Sequence, residues 1–176
     1  IFDFDNKKNP FRDYSIVYMP YCDGSVFSGD NTVIDFEWQE FIEGRLGLPP
    51  GTGPLFRFHR GLRNQSAGMG VARAEFPHAR KITVAGSSAG GVGAAGFAPF
   101  LVRALYGNKI KLTVFNDAGP ITTNQDAVDE IEARRDDWLV GQFYPASCDE
   151  CGDDVNDDST AIIKWLLDND STIREA

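Results

Sequence analysis

The run Gly86-Ser87-Ser88-Ala89-Gly90-Gly91 constrains the fold more than any other stretch of this chain. It follows directly on Lys-Ile-Thr-Val-Ala at 81–85, a short β-branched run that predicts a strand. Beyond it, Ala94 to Tyr106 predicts an apolar helix, disturbed by Pro99 and closed by Gly107-Asn108. A strand and a helix joined this tightly pass close together, so the residues around the turn must be small. A serine at its centre is held in a strained conformation, with Oγ projecting above the sheet. The pattern is that of a nucleophile elbow, with Ser88 as candidate nucleophile. Gly86 and Gly90 are the small flanking positions, and Gly91 extends the close packing into the helix. The Ala89 N–H is a candidate oxyanion donor, aided by the helix N-terminus. A phosphate loop would need a Gly-Lys-Ser/Thr ending, which is absent, and the spacing does not fit a dinucleotide fingerprint.

The flanking sequence supplies the rest of an α/β pattern. Ser15 to Met19 predicts a short strand ended by Pro20, and Thr32 to Phe36 another. Trp38 to Leu46 predicts a helical turn, Leu48 to Pro54 a loop, and Arg60 to Phe76 a helix ended by Pro77. Lys111 to Phe115 predicts a second strand, with a turn at Asn116 to Pro120. Asp126 to Val140 predicts a charged helix, and Ala161 to Leu167 a third apolar strand. Alternating strands and helices predict a parallel sheet. No linker or repeat divides the 176 residues, so residues 1–176 are expected to form one domain.

Charge narrows the partners. With 26 acidic and 17 basic residues the net charge is −9, which argues against a nucleic-acid partner. No apolar run reaches the roughly 20 residues of a membrane span. Six carboxylates fall between Asp149 and Asp158; they predict a solvated acidic loop, and their spacing is not that of an EF-hand calcium site. The Cys148-x-x-Cys151 pair lacks the further ligands of a zinc site, so no metal is expected. A local Cys148–Cys151 disulfide suits an oxidising compartment and leaves Cys22 single.

A serine nucleophile needs a base and an acid. Asp168 and Asp170, just past the third apolar run, are the candidate acids. Asp117 ends the strand after the elbow, and its ordinary role there is a turn cap. The two histidines, His59 and His78, both precede Ser88. His78 enters the elbow strand at the wrong end, roughly 15–20 Å from the serine. His59 is expected to be structural or to line a substrate site. The base is therefore expected beyond residue 176.

Taken together these stretches resemble the pectin acetylesterase/Notum family of serine carboxylesterases. The elbow is similar to that family's Gly-Cys/Ser-Ser-Ala-Gly-Gly segment. Tyr21-Cys22-Asp23-Gly24-Ser25 with Phe27-Ser28-Gly29-Asp30, Asn116-Asp117-Ala118-Gly119 and His59-Arg60-Gly61 also resemble family segments, so the likeness spans residues 16 to about 120. The resemblance implies an α/β-hydrolase-like three-layer sandwich, mainly parallel, of which this chain is the central part. It implies Ser88 as nucleophile, Ala89 as oxyanion donor, Asp170 or Asp168 as acid, and Asp23, Gly24 and His59 as substrate-lining candidates. The implied reaction is hydrolysis of an O-acyl ester, such as acetyl on a polysaccharide or a fatty acyl group on a protein, without a cofactor. It implies a secreted protein, and further segments of the same protein carrying the Gly-Gly-Gly-Trp-type oxyanion segment before Ile1 and the histidine after Ala176. An inactive hydrolase-like binding or assembly subunit is the alternative.

Overall fold

The computed structural model describes residues 3–119, 137–151 and 160–170, and the backbone of 173–175. These residues form a mixed α/β structure with two small sheets. In chain order the elements are β1 (Asn31–Ile34), α1 (Phe36–Leu46), β2 (Phe56–His59), α2 (Gly61–Glu75), β3 (Lys81–Ser87), α3 (Ala89–Ala95), α4 (Ala98–Tyr106), β4 (Lys111–Asp117), α5 (Ala161–Asn169) and β5 (Ile173–Glu175). A 3-10 turn at Val140–Phe143 lies between β4 and α5.

Local chemistry sets several boundaries. Asp35 caps α1, its Oδ1 accepting from the Trp38 N–H at 2.7 Å. Gly47 ends that helix at φ 66. The apolar stretch after the elbow is two helices, because the chain breaks at Gly96-Phe97. Pro99 then falls in the first turn of α4, where its missing N–H costs nothing.

The larger sheet is parallel, in the order β3-β4-β5. Lys81 lies opposite Lys111, and Ser87 opposite Asp117. Val84, Leu112 and Val114 are buried in one cluster with Met69 of α2, Val102 of α4 and Leu166 of α5. The opposite face carries Ala85 and Phe115, both exposed. The core thus lies on one face of the sheet. The α/β class stands, but the described residues show two layers and no hydrolase-sized sheet, not the expected three-layer sandwich.

Three expectations differ from the structure. Ala161–Leu167 is the body of helix α5, not a strand. Ile162 and Leu166, four residues apart, are its buried positions, and Trp165 stacks on Phe100. Ser15–Met19 joins no strand ladder. The second sheet pairs β1 with β2, an antiparallel partner not foreseen for Thr32–Phe36. The expected helix at 126–140 lies outside the described residues up to 136, as does the acidic loop from 152 onward.

No single described helix is long and apolar enough to cross a membrane. The bent α3–α4 pair is apolar because it supplies core residues such as Ala94, Ala98 and Val102.

Candidate active site

Ser88 joins β3 to α3 and has φ 54, ψ −121. A positive φ is strained for any residue with a Cβ, and the surroundings must hold it in place. They do so through backbone contacts. The Ser88 N–H donates to Asp117 O at 2.9 Å, and Ser88 O accepts from Gly91 N at 2.8 Å and Val92 N at 3.1 Å. A Cβ on Gly86 would lie 2.0 Å from Gly90 O, and one on Gly91 would lie 2.3 Å from Asn116 Oδ1. Glycine is therefore required at Gly86 by direct backbone approach, and at Gly91 by the Asn116 side chain together with the Gly119 backbone, whose Cα would lie 2.7 Å from a Cβ. At Gly90 a Cβ would meet nothing within 4 Å. What matters there is the carbonyl that closes on Gly86. Ala89 is the first residue of α3, so its N–H has no partner within the helix and is free to meet a developing negative charge.

Asp117 ends β4 beside the elbow, and its side chain is exposed. The turn-capping role expected of it belongs to Asn116, whose Oδ1 accepts from Gly119 N at 2.9 Å. That turn presses on α3, since a Cβ on Gly119 would lie 2.3 Å from the Gly91 carbonyl carbon.

Asp23, Gly24 and His59 form a separate polar knot. Asp23 Oδ1 accepts from Ser25 N at 3.1 Å and Ser25 Oγ at 2.8 Å, and Oδ2 accepts from Arg60 N at 2.7 Å. Ser25 is fully buried under Gly61, where a Cβ would lie 2.1 Å from Ser25 Oγ. The structure thus locks the Tyr21–Ser25 loop to the His59-Arg60-Gly61 step. Gly24 serves this loop through its φ of 71. His59 is 1% exposed and stands edge-on to Trp138. Burial, with the Arg57 guanidinium adding to it, holds its pKa below the usual histidine value, against the opposing pull of Asp23 and Asp137.

A cleft of about 500 Å³ opens beside Ser88. Val17, Met19, Tyr21, Phe27, Gln65 and Met69 contribute to its wall, which is in the size range of small-molecule sites. Neither histidine lines it, nor do Asp23 and Gly24. Sequence reasoning missed Phe27 and Gln65 as lining residues. The signal was weak: Phe27 stands two residues beyond the Asp-Gly-Ser turn, and Gln65 is a polar residue on the inward stripe of α2.

The candidate acids lie elsewhere. Asp170 caps the C-terminus of α5 and pairs with Arg103 at 2.6 Å. Arg103 also donates to Ile110 O at 2.9 Å, one residue before β4 begins. Asp170 therefore sits at the start of β4 and Ser88 at its end, about 20 Å away along a seven-residue strand. Asp168 is exposed in the last turn of α5. The structure brings neither to Ser88. The reason is the helical state of 161–169, which turns the chain back to the entry edge of the sheet before β5 begins. His78 is exposed just before β3, also at the far end from Ser88.

Cys148 and Cys151 are joined in a disulfide, and Cys22 is free and exposed. Among the described residues no three His, Cys, Asp or Glu side chains converge as a metal site.

No protein-family model, curated protein or solved structure matches this chain. The functional reading rests on the site itself. A strained serine, a free helix-initial N–H and an adjoining cleft can bind a carbonyl, attack it and hold the resulting oxyanion. Among the described residues they lack a side chain that takes the serine proton.

Proposed function

We propose that this chain is the nucleophile-bearing part of a serine carboxylesterase of the pectin acetylesterase/Notum type, with an α/β-hydrolase fold in the natural protein. The observation that carries the reading is the Ser88 backbone, φ 54 and ψ −121, forced between β3 and α3 by glycines that admit no Cβ. Ser88 Oγ attacks the ester carbonyl carbon as its proton passes to a histidine. The oxyanion forms near the Ala89 N–H, and its collapse expels the alcohol, which takes the proton back. Water then attacks the acyl-serine by the same route and releases the acid.

The base is a residue other than His59 or His78, since neither lines the cleft. The acid is expected further along the line of β5. That strand runs parallel to β4, and Glu175 lies opposite Val114, three residues short of Asp117 at the Ser88 end. The substrate proposed is an O-acetyl ester of a polysaccharide, with a fatty-acylated protein as the other family-type ester. The disulfide supports an extracellular setting.

In the natural full-length protein, Ser88→Ala is expected to abolish hydrolysis of p-nitrophenyl acetate while leaving the melting temperature within a few degrees. Unchanged hydrolysis would remove Ser88 as nucleophile.

The absence of a histidine from the cleft lining favours a second reading, a hydrolase-like module that binds without catalysis. Under it, wild-type protein shows no hydrolysis at all.

A further inference from the structure

We propose that Asn116 is a positioning residue that holds Ser88 in its attacking conformation. The inference rests on the reading of Ser88 as an ester-cleaving nucleophile, and it names a residue that acts on that serine from the neighbouring strand. Asn116 and Asp117 are the last two residues of β4, and Ser87 with Asp117 is the last pair in the β3–β4 register. Past that pair, the Ser88 N–H donates to Asp117 O at 2.9 Å.

The aim of that carbonyl depends on the turn after β4. Ala118 stands at φ 53, a left-handed conformation that a residue with a Cβ avoids. The planar peptide between Asp117 and Ala118 carries the Asp117 oxygen, so an Ala118 relaxed to negative φ would re-aim the acceptor of the Ser88 N–H. The Asn116 side chain closes the turn across Ala118, its Oδ1 accepting from Gly119 N at 2.9 Å. The same oxygen is wedged against α3. A Cβ on Gly91 would lie 2.3 Å from it, and a Cβ on Gly119 2.2 Å. Gly91 in turn donates its N–H to Ser88 O at 2.8 Å.

Asn116 thus acts on both ends of the Ser88 backbone, on its N–H through the Asp117 carbonyl and on its C=O through Gly91. The Ser88 φ of 54 is itself strained, and such a conformation persists only where its surroundings over-determine it. Asn116 does not line the cleft, so it acts on substrate only through the serine. Its loss is therefore read in the rate of the chemical step and not in substrate binding, since a misplacement of about 1 Å at a reacting group can cost on the order of a hundredfold in rate.

The test measures kcat and KM for p-nitrophenyl acetate in the natural full-length protein, with thermal melting to establish that each variant is folded. Asn116→Leu keeps the bulk against Gly91 but has no acceptor for the Gly119 N–H. It is expected to lower kcat about tenfold or more, with KM within about threefold of wild type. Asn116→Asp keeps both the acceptor and the shape, and is expected to turn over at least about threefold faster than Asn116→Leu. Asn116→Ala takes the place of Asn116→Leu if the leucine does not fold. If the folded variant without an acceptor keeps the wild-type kcat, whatever its melting temperature, or if Asn116→Asp is no faster than it, while Ser88→Ala abolishes turnover, the positioning role fails and the ester reading survives. Hydrolysis that persists in Ser88→Ala, or is absent from wild type, overturns both.

Discussion

Each residue around the elbow answers to a different force. Gly86 is held by sterics, since a methyl group there would sit 2.0 Å from Gly90 O and could be relieved only by moving backbone. Gly86→Ala is expected to destabilise the protein by about 3 kcal/mol or more and to abolish any activity of Ser88. Gly90→Ala meets open space, and replacing a helical glycine gains about 0.5–1 kcal/mol. Chemical denaturation of the two variants checks the contrast, and equal losses would mean that the turn is not packed as described. His59 answers to burial. Its pKa is lowered in the fold, so as pH falls the unfolded chain takes up a proton first. The stabilising contribution of neutral His59 is complete above the unfolded value of about 6.5 and is lost as pH drops below it. Between about pH 7.5 and 5.5 the melting temperature is expected to fall less in His59→Phe than in wild type. An equal fall in both would assign the pH dependence to other groups.

At the scale of elements, position along the parallel sheet decides which residues can act together. Arg103 and Asp170 tie α4 to the end of α5 at the entry edge of the sheet, with both side chains mostly buried. Asp170→Asn is expected to cost about 2 kcal/mol by leaving the guanidinium partly unpaired, with turnover per folded molecule unchanged. A loss of about 10⁴ in kcat without a loss of stability would instead make Asp170 the triad acid. The sequence showed β3, β4 and the elbow clearly, because β-branched runs bounded by glycine and polar turns leave little choice. It misread 161–167, since a seven-residue apolar run fits a buried strand and a buried helix face equally well. It passed over β2 because Phe56-Arg57-Phe58-His59 turns its phenylalanines outward and its polar residues inward, the reverse of the usual alternation. It could place Asp168 and Asp170 after an apolar run but not at an end of the sheet, because that depends on the direction in which α5 returns the chain.

At the scale of the whole molecule, the core is one-sided. Helices and buried strand residues fill one face of the β3-β4-β5 sheet, while Phe115 stands 41% exposed on the other. The outward face of the β1–β2 ribbon adds Ile34, Phe56 and Phe58 to the exposed apolar surface. Ser88, the proposed nucleophile, lies where β3, β4 and the Tyr21–Phe27 loop meet, beside an open cleft. A reactive serine must be shown by its chemistry, and a fluorophosphonate probe reports on it without assuming a substrate. Treated with such a probe and mapped by peptide mass spectrometry, the folded full-length protein is expected to carry the label on Ser88, and Ser88→Ala to carry none. A well-folded wild-type protein that remains unlabelled at Ser88 would contradict the account.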